Sequence, residues 1–424
     1  MNAEQALQLL RSAQAVRERS AQLLDLGLAG ELAHFTVDQA RLAEVAQFTA
    51  QLTRERYPDL RVPPHSRFGH FDAGGVPRMA ALTRELSGLS ALERARRLTE
   101  LVVVSVLLDA GAGDAWRLRF QEHGGTTELG RSEGLAVASL AWARAGGLSS
   151  ERAAYQVDAA GLMGVTESAL AAAFQVGHDN PLVGVSGRVL LLRELGRVLG
   201  ARRDVFGAGG GGARIGGLID TLLARADQRS GRPTVAASDV LSLILDAFAE
   251  IWPGRLRFPA APAVSGAPLG DVWHHAAVRG EGATDGLLPL HKLSQWLCYS
   301  LLLPLEVAGI SVTHLNGLTG LAEYRNGGLF IDGGVLIPRE RAVLATPHAV
   351  DSELIVEWRG LTVALLDRVA PLVRAELGMG TDEQALPLAA VLEGGTWAAG
   401  RALAARARPG GGPPLQISSD GTVF

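Results

Sequence analysis

Leu290-His291-Lys292-Leu293-Ser294-Gln295-Trp296-Leu297-Cys298-Tyr299-Ser300-Leu301 places Leu290, Leu293, Leu297 and Leu301 at intervals of three and four, the spacing of one face of an α-helix. Pro289 before it and Pro304 beyond it are expected to bound that helix. Lys292, Gln295 and Tyr299 share another face, which suits a polar pocket better than open solvent. The same period runs through residues 4–29, 38–56, 92–108, 133–145, 151–174, 187–199, 215–228, 237–251, 351–375 and 384–406. Strand signals are few and no strand-helix alternation appears, so the pattern predicts a mainly α fold rather than a doubly wound sheet. The clearest strand signal is Tyr324 to Gly334, where Asn326-Gly327 followed by β-formers reads as a short hairpin. No repeat or long polar linker divides the chain. Residues 1–424 read as one compact helical unit, with a possible subdivision into 1–210 and 211–424.

Lys292 stands out for a second reason. The chain has forty lysines and arginines, and Lys292 is the single lysine among them. Guanidinium serves wherever a positive surface is enough, but it cannot replace a compact ammonium whose pKa falls on burial and which can act as acid, base or nucleophile. A formal net charge of −4 offers no basic field for nucleic acid or an anionic membrane. The only cysteine, Cys298, leaves no intrachain disulfide and no zinc cluster. The start Met1-Asn2-Ala3-Glu4-Gln5 lacks the basic character of a signal peptide, and the apolar run Leu101 to Leu108 is too short to span a bilayer. These features fit a cytoplasmic protein with a small-molecule ligand and neither metal nor cofactor.

Other polar segments supply candidates. Residues 47–80 read as a long irregular loop, and loops of that kind are often functional. Within it lie Arg67, His70 and Asp72, next to Gly74-Gly75, where backbone could approach a ligand; a purely structural use of Asp72 and His70 is the competing reading. Arg131, Ser132 and Glu133 could form an anion or ribose site at a helix start, although for Ser132 simple capping is the plainer role. Asp109 lies in Leu101 to Gly113, where an apolar run meets Gly111 and Gly113. That stretch has the look of a strand leading into a nucleotide or adenosylmethionine loop, and it carries a Rossmann-like methyltransferase as an alternative. Glu323, Arg325 and Asn326 stand at the turn after Leu318 to Ala322, and Asp332 is placed on the strand after it. Trp116, Trp273 and Trp397 could wall a pocket, but core positions suit them equally. Adjacent His274 and His275 diverge on a regular element and cannot chelate together. Gly207 to Gly217 and Pro409 to Pro414 read as glycine-rich loops.

The strings SRFGHFDAGG (66–75), LLDAGAGDAW (107–116), RSEGLAVAS (131–139), GDVWHH (270–275), LHKLSQWL (290–297), LTGLAEYRNGGLFIDGGVL (318–336), EGGTWAAGR (393–401) and SDGTVF (419–424) together resemble the fungal and bacterial uracil-catabolism family of once-unknown function. That resemblance implies processing of a ribosylurea-type intermediate, releasing urea from ribose or ribose phosphate, alongside other enzymes of uracil breakdown. LHKLSQWL and LTGLAEYRNGG are also similar in order and spacing to the lysine helix and Asp-Tyr-Arg turn of the queuosine-salvage nucleoside-phosphate glycosylases, which implies a helix-hairpin-helix glycosylase-like core. Lys292 matches their lysine and Glu323 their catalytic aspartate; this chain differs in having Glu for Asp and Asn-Gly-Gly after Arg325. Both resemblances imply cleavage of a ribosyl C–N bond, and the second implies Lys292 and Glu323 as its catalytic residues. Arg67, His70, Asp72, Asp109, Arg131, Glu133, Gln295, Arg325, Asn326 and Asp332 are the substrate-binding candidates. A non-catalytic sensor of a pyrimidine catabolite is a third reading, with Lys292 and Glu323 as recognition residues only.

Overall fold

The computed structural model describes residues 1–109, 111–122, 125–207, 212–229, 231–252, 256–258, 266–380 and 385–418. The SDGTVF string at 419–424, Ala110 and the middle of the 207–217 glycine stretch lie outside the described residues. The fold is mainly helical. Among the described residues the strands form only two-stranded pairs, and no helix is long and apolar enough to cross a membrane.

Two compact units are interleaved along the chain. The first comprises the described residues of 1–65, 254–295 and 314–418, and the second those of 66–253 and 296–313.

In the first unit the helix Glu353–Glu376 is the central element, packing against Ala13–Ala29 and Leu42–Arg56. Leu361, Val363, Leu366 and Val369 on it are fully buried, and each such side chain contributes roughly 1.5–3 kcal/mol of hydrophobic stabilisation. A second pair, Tyr324–Asp332 and Trp397–Ala407, packs closely because Gly400 faces Arg325: a Cβ at 400 would sit 2.0 Å from the Arg325 carbonyl oxygen. The strand Phe35–Val37 pairs antiparallel with Leu336–Pro338.

In the second unit the helix Ala91–Leu107 packs against Arg131–Arg144 and Gly217–Arg225, and Val185–Ala201 against Ala159–Met163. Thr234–Ala236 and Ser311–Thr313 form a parallel pair.

Several sequence expectations are corrected. Leu101 to Leu107 lies in the helix Ala91–Leu107, as the period of 92–108 predicts, and the strand that the alternative nucleotide-binding reading needs there is not formed. The segment 151–174 forms two shorter helices, Ala159–Met163 and Glu167–Ala173, with Asp158 and Thr166 capping them by accepting backbone N–H groups. Residues 66–75 fold into the helix Arg67–Phe71 and a 3-10 turn, where an irregular loop was expected. Pro304 lies inside the helix Lys292–Val307 instead of beyond it. Its cost of about 3 kcal/mol is offset by complete burial of Leu301 and Leu305 on either side.

Candidate functional site in the first unit and a polar cluster in the second

Tyr324–Asp332 is a helix, not a hairpin. Glu323 explains the difference: it takes an extended conformation at the N-cap and accepts the backbone N–H of Arg325 at 2.7 Å and of Asn326 at 2.5 Å. That satisfies two of the donors a helix start leaves unpaired. Gly327 then fits against the Trp358 indole, where a Cβ would meet ring atoms at 2.7 Å. The Asn-Gly signal for a turn is local, and capping together with packing outweighs it. Only 8% of Glu323 is exposed. Burial pushes its carboxyl above the usual carboxylate range, opposed by the two N–H donors and by the nearby charges of Lys292 and His65. Lys292 and His65 are thus the positive groups whose charge reaches the buried Glu323 carboxyl.

The position of Lys292 is set by a buried ion pair. Both Asp271 oxygens accept from Arg359 at 2.8 Å, and Oδ2 also accepts the Lys292 backbone N–H at 2.9 Å. Burial would raise the Asp271 carboxyl, but Arg359, with help from the Trp273 indole and the Lys292 N–H, holds it down at about 2. His291, just before the helix, has φ 46° and is tied through Nε2 to the Leu10 carbonyl at 2.7 Å. A positive φ at a non-glycine residue is strained, and these tethers hold it. Lys292 itself is half-buried.

Around this pair, several candidates hold the structure together. Gln295 is fully buried; its Nε2 donates to Thr319 Oγ1 and its Oε1 accepts the Thr319 N–H, both at 2.7 Å. It therefore fixes the segment leading to Glu323 and does not share an open polar face with Lys292. Asn326 accepts from Thr396 Oγ1 at 2.9 Å. Arg325 donates to the Gly411 carbonyl at 2.9 Å and lies over the Tyr324 ring. Asp332 ends a helix instead of lying on a strand, and pairs with both Nη groups of Arg408 at 2.6 and 2.7 Å.

The second unit gathers another set. Arg67 is completely buried. Its Nε donates to Ser105 Oγ at 2.7 Å, and its Nη1 to Asp109 Oδ1 at 2.7 Å and to Ser132 Oγ at 2.9 Å. Ser132 Oγ donates to Asp109 at 2.7 Å, so it bridges Arg67 and Asp109. It does not cap its helix, whose N-cap is Gly130 without a side-chain bond. His70 Nδ1 lies 3.3 Å from Arg67 Nη1. Asp72 stands apart from this cluster: it is exposed and accepts the Met79 N–H at 2.8 Å. Arg131 points to Asp114 at 3.6 Å, and Glu133 exerts its charge on Arg67. Trp116 is core, its indole bonded to the Phe174 carbonyl.

Residues 9–424 match the family described as "Protein of unknown function (DUF1688)". The chain belongs to this family. It is 38% identical over 431 residues to Protein urg3 of Schizosaccharomyces pombe, with all of both chains covered. It is 37% identical over 454 residues to Uracil catabolism protein 4 of Lachancea kluyveri, again with complete coverage of both.

Sequence reasoning missed three members of the first unit's site in this DUF1688 chain. Asp271 and Arg359 are 88 positions apart and share no periodicity, although Asp271 lies inside the GDVWHH string. Glu393 lies on a π-helical turn, Leu392–Thr396, a form that is rare and frequent at functional sites. It accepts from or pairs with His65 Nδ1 at 2.7 Å, Tyr57 Oη at 3.2 Å and Arg56 Nη2 at 3.3 Å. Thr396 on the same turn bonds Asn326, which joins this group to the helix that Glu323 caps.

Proposed function

We propose that this chain acts in uracil catabolism as an N-ribosyl hydrolase, cleaving the ribosyl C–N bond of a ribosylurea-type compound to release urea and ribose or ribose phosphate. The relative named Uracil catabolism protein 4 supports the metabolic setting. The observation that carries the chemistry is Glu323, buried at the N-cap of the Tyr324–Asp332 helix with its carboxyl oxygens fixed by two backbone N–H groups.

Breaking an N-ribosyl bond builds positive charge at the sugar C1 in an oxocarbenium-like state. Glu323, fixed by its two backbone N–H bonds, offers a preorganised negative charge beside that carbon. The C1–N bond breaks with its electron pair going to the urea nitrogen, and the Lys292 ammonium supplies the proton that nitrogen needs. Water then adds to C1 and gives its proton to Glu323. Return of that proton to Lys292 resets both groups. The Asp271–Arg359 pair acts through position, holding the backbone from which Lys292 projects.

Incubation of the purified protein with ribosylurea and with its 5′-phosphate, followed by assay of urea, tests this reading. Urea release from at least one is expected. No release from either, with tight binding retained, would favour the sensor role and overturn the hydrolase.

A further inference from the structure

We propose that the second unit carries a binding site for the phosphate of a phosphate monoester, built from Arg67 and the first turn of the Arg131–Arg144 helix. The proposal stands apart from C–N cleavage, and its test uses no turnover.

Arg67 carries the argument. The guanidinium has five N–H donors in a rigid fork, and in Arg67 the Nε and Nη1 groups are spent on Ser105, Asp109 and Ser132. Nη2 is buried with no hydrogen-bond partner. Leaving such donors unmet in the interior is costly, and a structural arginine would ordinarily find carbonyls for them, as Arg188 does with those of Leu108 and Gly111. Nη1 also donates to the Ser132 carbonyl at 3.1 Å, so the guanidinium lies against the helix's first turn.

That turn adds its own donors. The helix Arg131–Arg144 has 14 residues and no side-chain cap, and an uncapped helix start presents backbone N–H groups and a partial positive charge to an anion. Ser132, the natural capping residue there, is turned onto Asp109 instead. The charges favour the same ligand. Two buried guanidiniums, Arg67 and Arg188, stand near Asp109, whose Oδ1 is already bonded by Arg67 and Ser132, and near the half-buried Glu133, whose charge also acts on Arg67. Burial depresses Arg188 to about 10, with Asp109 opposing and Arg67 reinforcing the shift. Trp296 closes one face of Arg67 at 5.6 Å, while His70, Arg131 and Glu133 are half-buried. Surplus donors in a fixed, positively charged setting fit a tetrahedral oxyanion, not a neutral sugar hydroxyl.

Calorimetric titration of the full chain with inorganic phosphate, ribose 5-phosphate and ribose tests the assignment. Saturable binding of the first two, with ribose at least tenfold weaker, is expected. Arg67→Lys should weaken phosphate binding about tenfold or more, because the ammonium cannot reproduce the fork, and Ser132→Ala should weaken it less. Arg229→Ala, which removes an exposed arginine, should leave it unchanged. If Arg67→Lys fails to fold, the wild-type comparison of phosphate with ribose and the Ser132→Ala titration still decide. Absence of phosphate binding to the wild type, equal binding of ribose, or equal losses in Arg67→Lys and Arg229→Ala would each overturn the site.

Discussion

Asp271 accepts the backbone N–H of Lys292 at 2.9 Å while the same carboxylate holds Arg359 through both oxygens. One buried ion pair thus fixes the first residue of the helix that carries the chain's only lysine. Asp271→Asn would turn an amide NH2 toward donors and leave Arg359 buried without a counter-charge. Loss of one partner from a buried pair costs about 3–5 kcal/mol. Urea unfolding of the variant should show a loss of that size, and a loss below about 1 kcal/mol would mean that the pair does not anchor the helix.

Gly400→Ala tests the packing that brings the EGGTWAAGR segment against the Glu323 helix. The new Cβ would lie 2.0 Å from the Arg325 carbonyl oxygen, so the two helices must separate, and overpacking of this kind costs about 1–3 kcal/mol. Thermal unfolding should show a lower Tm; a wild-type Tm would show that this contact yields without strain.

Glu100 provides a pH test within the second unit. It accepts from Arg214 at 2.9 Å and from the Val157 N–H at 2.7 Å, yet burial raises its carboxyl from 4.5 to about 7. Because its folded-state pKa lies above its unfolded value, its stabilising contribution is complete below pH 4.5 and is lost as pH rises through about 7. The shift corresponds to roughly 3 kcal/mol. Wild-type unfolding free energy should therefore fall between pH 5 and pH 8 by more than that of Glu100→Gln, and equal pH dependence in the two proteins would contradict the assignment.

The acid side of catalysis should report Glu323. In the proposed hydrolysis its carboxylate must be ionised to stabilise positive charge at C1, and burial raises its pKa. As pH falls, log kcat/KM should begin to drop above the ordinary glutamate range near 4.3. A profile flat down to pH 4 would exclude Glu323 as the ionised group.

Much of the helical layout was legible because burial imposes a period of three and four on the sequence; Leu290, Leu297 and Leu301 are fully buried as that period requires, while Leu293 is half-buried. The polar side of the same helix was not legible: Gln295 and Tyr299 are buried too, and periodicity marks only which residues are apolar. The turn at Asn326-Gly327 misled because its signal is local, whereas Glu323 capping and Trp358 packing depend on the fold. Capping is the commonest use of serine at a helix start, whereas the bond Ser132 makes to Asp109 spans 23 positions. Asp271–Arg359 and His65–Glu393 were invisible for the same reason, since nothing local announces a partner so distant in sequence.

The rate of urea release by Lys292→Arg, measured beside wild type with ribosylurea or its 5′-phosphate, tests the central claim most directly. Charge is preserved, and a chain with thirty-nine arginines readily accommodates guanidinium, so only a site that needs a compact, proton-donating ammonium should resist the change. A folded variant with a rate lower by about a hundredfold or more is expected, with Glu323→Gln at least as impaired. Wild-type rates in Lys292→Arg would contradict the role assigned to Lys292.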